Sequence, residues 1–419
     1  MRAEPAASMI PRSYTEIARN AGFLFGLQSL QRILGLLTTY FVVRAISQSS
    51  YGEYNFALSL IDVIAIAALP GLGNAVMQSV ARQYRGTYRA ALRPSFLCSL
   101  VGSAVLLGMG GWYLRSGSTA LAVAFLGAAA LFPFAYGLTQ WKGLKMGGED
   151  FAGIARLEGI TAVATSLALI VAVLSVSQSI ATLVVIILLA RSVLNVFVTR
   201  RTLGQVGKGE PVESGSIRYG VKTTAYSVFG LVAKHVDKLL LFTFMTPATV
   251  GVFVAAERIP ELIKEQIKNL AAVAAPRFAR HERYTKRVDR AFRLFSFVVG
   301  GVIVLVAFTI LPWALLLIYG ESYRESVPYA QALMCSLAIA NTAPLRFRFV
   351  SSRQDTASFR DVNAFVAIFR IVVSAVLVPT LGLLGAVLSA FAARIGYVVA
   401  INIVMKKRYP LDEAESGPA

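Results

Sequence analysis

The sequence predicts an all-α integral membrane protein of about twelve transmembrane helices, arranged as two six-helix lobes related by an internal repeat. Three observations predict it. First, the 419 residues are 56% hydrophobic and only 15% charged, with a mean hydropathy of +0.64. A soluble domain carries about 25% charged residues, and this much apolar surface needs lipid rather than water around it. Second, the basic residues alternate between loops. Third, short motifs recur about 200 residues apart.

A span needs about 20 apolar residues. Twelve candidates follow: 21–43, 54–80, 94–114, 119–140, 155–176, 180–199, 219–243, 249–275, 292–318, 326–345, 361–380 and 383–405. Met1 to Arg19 is polar and has no cleavage site after a short apolar core, so the first long apolar run is read as the first span. With the N-terminus inside, the inner segments hold 29 Lys and Arg, the outer ones 3 (Arg44, Arg115 and Arg324), and the remaining 9 of 41 lie within spans. Positive charge concentrates on the cytoplasmic side, and one span too many or too few would scramble the alternation. Both termini are therefore expected in the cytoplasm. The net charge of +19 is not a nucleic-acid footprint, because it is divided among short loops between apolar runs. Cys98 and Cys335 sit in apolar stretches and read as small hydrophobes, with no disulfide framework or metal spacing.

The repeat is visible in the motifs. Tyr51-Gly52-Glu53-Tyr54 follows the first span, and Val250-Gly251-Val252-Phe253 follows the seventh, at an offset of 199. Asp62 and Glu261 pair at the same offset, and Ala190-Arg191 pairs with Ala393-Arg394 at 203. Six spans separate the copies, so the repeat is parallel. Lobe boundaries of 1–203 and 219–408 follow, with a hinge-like linker at 204–218 and a polar tail at 409–419. The linker holds Gly204, Gly207, Gly209, Pro211 and Gly215. Transporters commonly use this plan, with the substrate site between the repeats near the midplane.

Charge inside the spans is the strongest functional signal. A central Arg or Lys costs roughly 3 kcal/mol on insertion scales. The nine are Arg32, Arg191, Lys234, Lys238, Arg258, Lys264, Lys268, Arg370 and Arg394. Most must face an aqueous cavity or pair internally, while those near helix ends snorkel to the interface. The neighbouring acids are Asp62, Glu158, Asp237, Glu257, Glu261 and Glu265. One reading is a basic cavity for an anionic ligand, since the arginine fork binds phosphate oxygens in pairs. The other is salt bridging between packed helices. Span 8 concentrates the question: Glu257, Arg258, Glu261, Lys264, Glu265 and Lys268 fall within an arc of about 120°. Glu261–Lys264 and Glu265–Lys268 are i,i+3 pairs, which leaves Arg258 and Glu257 with the weakest local pairing. Asp237 lies between Lys234 and Lys238 and could neutralise either. His235 reads more readily as a packing residue than as a proton relay. Pro70, Gly71 and Gly73 break span 2; such a break can line a site, but a plain kink suffices to explain it. No catalytic constellation, phosphate-binding glycine loop, metal site or cofactor motif is present in the sequence, so no catalytic, metal or cofactor residue is assigned.

Four stretches carry a family resemblance: Val43-Arg44-Ala45-Ile46 with Ser50-Tyr51-Gly52-Glu53-Tyr54, His235-Val236-Asp237-Lys238-Leu239-Leu240-Leu241, Thr249-Val250-Gly251-Val252-Phe253-Val254-Ala255-Ala256, and Val378-Pro379-Thr380-Leu381-Gly382-Leu383-Leu384-Gly385-Ala386. In order, spacing and duplication they resemble the polysaccharide-biosynthesis, Wzx-type O-antigen flippases of the multidrug/oligosaccharidyl-lipid/polysaccharide (MOP) superfamily. The resemblance implies a MATE-like V of two lobes. It also implies alternating-access transfer of a polyprenyl-diphosphate-linked oligosaccharide to the periplasmic leaflet of the bacterial inner membrane, for O-antigen or exopolysaccharide synthesis. The partners it implies are that lipid-linked glycan, the bilayer, and a polysaccharide polymerase and glycosyltransferases. Lipid-II flippases typically have fourteen spans, so twelve favours the O-antigen or exopolysaccharide branch. Expected substrate-binding residues are Arg258 first, then Arg32, Arg191, Arg394, Lys234, Lys264 and Arg370. Expected ion-coupling residues are Asp237, Glu257, Glu261 and Asp62. The rivals are an ion-coupled small-molecule exporter of the same superfamily, a membrane glycosyltransferase or polymerase, and a non-transporting scaffold. The second would need a large outer loop with catalytic acids, and the outer loops are a few residues long.

Overall fold

The computed structural model describes residues 31–176, 178–280, 284–353 and 356–409. They form fifteen α-helices and no strand. The first, α1, covers 31–45 of the first expected span, whose residues 21–30 lie outside the described residues. Then come α2 (Gln48–Ile64), α3 (Gly71–Ala81), α4 (Thr87–Arg115), α5 (Thr119–Tyr136), α6 (Trp141–Gly147), α7 (Phe151–Val171) and α8 (Ile180–Gln205). After a linker follow α9 (Ser216–Phe244), α10 (Pro247–Arg280), α11 (Lys286–Thr309), α12 (Leu311–Tyr319), α13 (Ser326–Ala340), α14 (Ala343–Ser352) and α15 (Thr356–Arg408).

Among the described residues six helices are long and apolar enough to cross a bilayer, and the bent α2–α3 pair makes a seventh. Helices α9 and α10 have the length but carry the intramembrane charges, and α13 is a shorter apolar helix. Helix α15 serves two spans. Gly382, at φ 58° and ψ −128°, interrupts it between the stretches 361–380 and 383–405. With α1, the bundle therefore accommodates twelve passes, six on each side of the linker.

Span 2 is broken by more than its proline. Leu69 takes a left-handed conformation, at φ 54°, and the chain bends by 49° between Gln48–Ala68 and Gly71–Ala81. The first amide of α3, on Gly71, donates to Thr224 Oγ1 of α9 at 2.9 Å, so a group orphaned by the break is satisfied across the lobe boundary.

The repeat reappears as a contact. Helices α2 and α10 cross at their first turns, where a Cβ on Gly52 would lie 1.7 Å from the Pro247 carbonyl oxygen. Reciprocally, a Cβ on Gly251 would lie 2.6 Å from the Gln48 carbonyl oxygen. Residue 48 is to 247 as 52 is to 251, so the crossing is self-complementary, as an isologous two-fold contact is. Only glycine permits backbones this close. Beside it, Phe56 of α2 stacks on Phe242 of α9 with ring centroids 3.6 Å apart, and Tyr51 meets Tyr319 and Tyr323 edge-on. One end of the bundle is thereby sealed.

At the other end the linker, which the sequence suggests is hinge-like, is fastened to α3 and α4. Arg82 pairs with Glu213 at 3.0 Å, and the Ser79 hydroxyl donates to the same carboxylate. Arg89 Nε donates to the Val206 carbonyl at 2.7 Å. Gly86 sits where a Cβ would strike the Glu210 carbonyl oxygen at 2.2 Å.

Candidate functional site

Helices α9, α10 and α15 converge on a polar network that begins at Asp237. This carboxylate is 1% exposed, and no ion can lie so deep without partners. It has three. Arg370 Nη2 reaches Oδ2 at 2.6 Å, while Ser374 and Ser389, both fully buried, donate to Oδ1 at 2.7 and 2.8 Å. Arg370 and Ser374 precede Gly382 and Ser389 follows it, so one carboxylate pins both arms of α15 to α9. The sequence places Asp237 beside Lys234 and Lys238. The structure corrects that pairing: the partner is Arg370 of α15, since Lys238 at i+1 points away from Asp237 and Lys234, although at i−3, lines the cavity instead.

Glu257, the acid with the weakest local pairing on its helix, is 9% exposed, bonded to Lys238 at 2.9 Å and within 3.9 Å of Arg370. Both partners lie on other helices, which helix periodicity cannot reveal. The local pairs are formed as spaced: Lys264 with Glu261 at 2.6 Å, and Lys268 with Glu265 at 2.8 Å.

Above these groups lies a cavity of about 590 Å³. Its cationic lining is Lys234, Lys238, Lys264, Lys268, Arg348 and Arg370, against three acids, Glu257, Glu261 and Glu265. At 1.5 Å per residue, Glu257 and Lys268 stand about 15 and 32 Å along α10 from the sealed end. The cavity thus occupies the half of the bundle nearer the basic loops. Arg394 borders a narrower recess of about 160 Å³ continuous with the same residues.

The two arginines that the repeat matches are each bound inside their own half of the chain. Arg191 of α8 donates to the Tyr136 hydroxyl at 2.9 Å and lies 3.7 Å from Asp62 of α2; Tyr136 in turn donates to Asp62 at 2.7 Å. Arg394 of α15 lies 3.6 Å from Glu261 of α10 and donates to the Ser336 hydroxyl and the Leu333 carbonyl. The acids are the repeat partners Asp62 and Glu261, so the same clamp is built twice. In each half it ties the helix that crosses the other lobe to the last helix of its own.

Arg258 does not line the cavity. It is exposed, forms no ion pair among the described residues, and faces α1, where a Cβ on Gly35 would lie 3.5 Å from its Nη2. Arg32 of α1 keeps one guanidinium nitrogen buried and without a hydrogen-bond partner. Glu158 pairs with Lys142 instead of entering the site. Sequence reasoning missed Ser374, Ser389, Tyr136 and Arg348. Ser374 alone had a signal, lying four residues after Arg370 and so on the same helix face.

A family model described as polysaccharide biosynthesis protein matches residues 41–328. The chain belongs to that family. No curated protein sequence matches it significantly. Among solved structures, this polysaccharide biosynthesis protein is similar to the lipid II flippase MurJ in an inward closed conformation, with a TM-score of 0.72, 10% identity, and 92% of this chain and 87% of that one covered. It is also similar to an inward-facing multidrug resistance MATE family transporter of the MOP superfamily, with a TM-score of 0.67, 16% identity and coverage of 90% and 96%. A third is a MOP superfamily transporter from Pyrococcus furiosus, whose binding pocket is described as reversed in polarity: TM-score 0.60, 15% identity, coverage 93% and 95%. At these identities the likeness establishes the fold. This family member is a multi-pass membrane protein of MOP architecture.

Proposed function

We propose that this chain is a flippase that carries a polyprenyl-diphosphate-linked oligosaccharide across the bacterial cytoplasmic membrane for O-antigen or exopolysaccharide synthesis. The observation that carries the proposal is the excess of cations, six against three, in a cavity enclosed by membrane-spanning helices. Such charge at depth is costly, and a diphosphate is the ligand whose recognition would justify it. Membership of a polysaccharide biosynthesis family supports a glycan as the rest of the cargo.

In this reading, residues 1–203 and 219–408 act as two lobes that rock about the glycine crossing. The sealed end is periplasmic, both termini are cytoplasmic, and the cavity faces the cytoplasmic leaflet. Lys234, Lys264 and Arg370 bind the diphosphate inside the cavity. Arg258 and Arg32 guide it between the lobes. Arg191 and Arg394 hold the cavity walls in place, and direct phosphate contact is the lesser role for them. Asp237, Glu257, Glu261 and Asp62 are the groups through which a coupling ion would act. The polyprenyl tail stays in the bilayer, and a polymerase and glycosyltransferases stand on either side of the step.

The test is export. In cells lacking the gene, surface polysaccharide should fall and lipid-linked oligosaccharide accumulate in the inner leaflet, with rescue by the wild-type chain. Purified protein in proteoliposomes should move lipid-linked oligosaccharide and leave small organic cations untouched. Transport of organic cations without the glycan would establish the small-molecule exporter instead.

A further inference from the structure

A second cavity, of about 310 Å³, lies beside the cation-lined one and differs from it in chemistry. Its polar lining is Asp62 of α2, Tyr136 at the end of α5, Thr139 in the turn after it, and Lys234 and His235 of α9, over an apolar floor that includes Pro70. Lys234 borders both cavities. The larger cavity thus presents nine ionic side chains and the smaller one only two, together with two hydroxyls and an imidazole. Two features make it a built site. His235 is 5% exposed, and both of its ring nitrogens are buried without a hydrogen-bond partner. Buried polar atoms in that state cost free energy, and a turn of the ring toward the cavity that His235 borders would let a ligand group recover it. Asp62 accepts from Tyr136 and faces Arg191 through Oδ1 alone, so Oδ2 can accept from a ligand. Thr139 spends its hydroxyl proton on the Tyr136 carbonyl at 3.1 Å and keeps its lone pairs. The break in span 2 shapes the floor, since Ala65, Ala68 and Pro70 all border the cavity.

An imidazole, hydroxyl acceptors, one carboxylate and an apolar floor are the chemistry that reads sugar hydroxyls and the C–H face of a pyranose. In a diphosphate-linked glycan the first sugar is bonded directly to a phosphate, so sugar and phosphate sites must adjoin. The two cavities adjoin at Lys234. Resting on the flippase reading, we propose that the smaller cavity is a sugar subsite. It takes the first residues of the glycan while Lys234 holds the phosphate next to them. Tyr136 and Asp62 then both anchor Arg191 and present oxygens to the sugar, and Asp62 does so besides its ion-coupling role.

The experiment measures binding of two probes to the purified full-length chain in detergent. One probe is inorganic pyrophosphate. The other is the reducing oligosaccharide freed by mild acid from the cells' own lipid-linked intermediate. The variants are His235→Phe and Thr139→Val, neither of which touches the cation-lined cavity. Each should bind pyrophosphate as the wild type does and bind the oligosaccharide about tenfold more weakly, the loss of one hydrogen bond in a buried site. Unchanged oligosaccharide affinity in both variants overturns the subsite. If His235→Phe weakens both probes and melts early, Thr139→Val decides on its own. A wild-type chain that binds pyrophosphate but not the oligosaccharide also overturns the subsite and leaves the diphosphate reading intact. One that binds the oligosaccharide but not pyrophosphate removes the diphosphate reading and leaves the subsite standing.

Discussion

Asp237→Asn is the most informative single change. The native carboxylate is 1% exposed and its partner Arg370 has a side chain 18% exposed, so solvent screens the pair little. Removing one partner of a buried pair costs about 3–5 kcal/mol, and Glu257, 3.9 Å from Arg370, offsets only part of the charge left behind. The amide keeps one acceptor for Ser374 and Ser389, so part of their bonding survives. For a unit of about 200 residues each kcal/mol lowers Tm by about 2–4 °C, so the expected fall is roughly 6–20 °C. The double variant Asp237→Leu with Arg370→Leu removes both charges and should regain much of that loss, because a buried pair replaced whole by apolar groups is often neutral. Thermal unfolding of detergent-solubilised protein, followed by monodisperse recovery, measures both. A shift under about 2 °C for Asp237→Asn, or a double variant no better than the single, would refute the argument that this network holds α15 to α9.

Gly52→Ala must push α2 from α10 by more than 1 Å, since its Cβ would start 1.7 Å from the Pro247 oxygen. Export should drop, and a cysteine at Tyr51 should become reachable by an impermeant maleimide from outside; an unchanged labelling rate would count against the seal. Lys264→Ala should reduce glycan export more than Arg258→Ala at matched expression, because Lys264 lines the cavity and Arg258 does not; the reverse order would return the phosphate role to Arg258. Arg394→Leu should destabilise more than Arg191→Leu, as their side chains are 13% and 45% exposed, and equal melting temperatures would sink that ranking. In a variant lacking Cys98 and Cys335, a cysteine at Lys208 should resist impermeant maleimide in intact spheroplasts, and strong labelling there would reverse the proposed orientation.

Much of this architecture was legible in the chain. Apolar runs of bilayer length and basic residues confined to alternate loops report the solvent, and solvent acts on each segment separately. The repeat was legible for the same reason: Gly52 with Gly251, and Asp62 with Glu261, recur at a constant offset whatever surrounds them. The i,i+3 pairs of α10 were also readable, because one helix contains both partners. Which ions meet across helices was not readable. That Asp237 takes Arg370 and two serines, that Glu257 takes Lys238, and that Arg258 turns from the cavity all depend on how three helices are rotated about their axes. That rotation is set by packing of the whole bundle and leaves no periodic mark in any one segment. Apolar run length, a constant repeat offset and residue identity were enough to read the membrane fold, the duplication and the inventory of intramembrane charge. The partners needed the folded bundle, because an ion pair in a bilayer is chosen by distance between different helices, whether 19 residues apart in the chain, as Lys238 and Glu257 are, or 133, as Asp237 and Arg370 are.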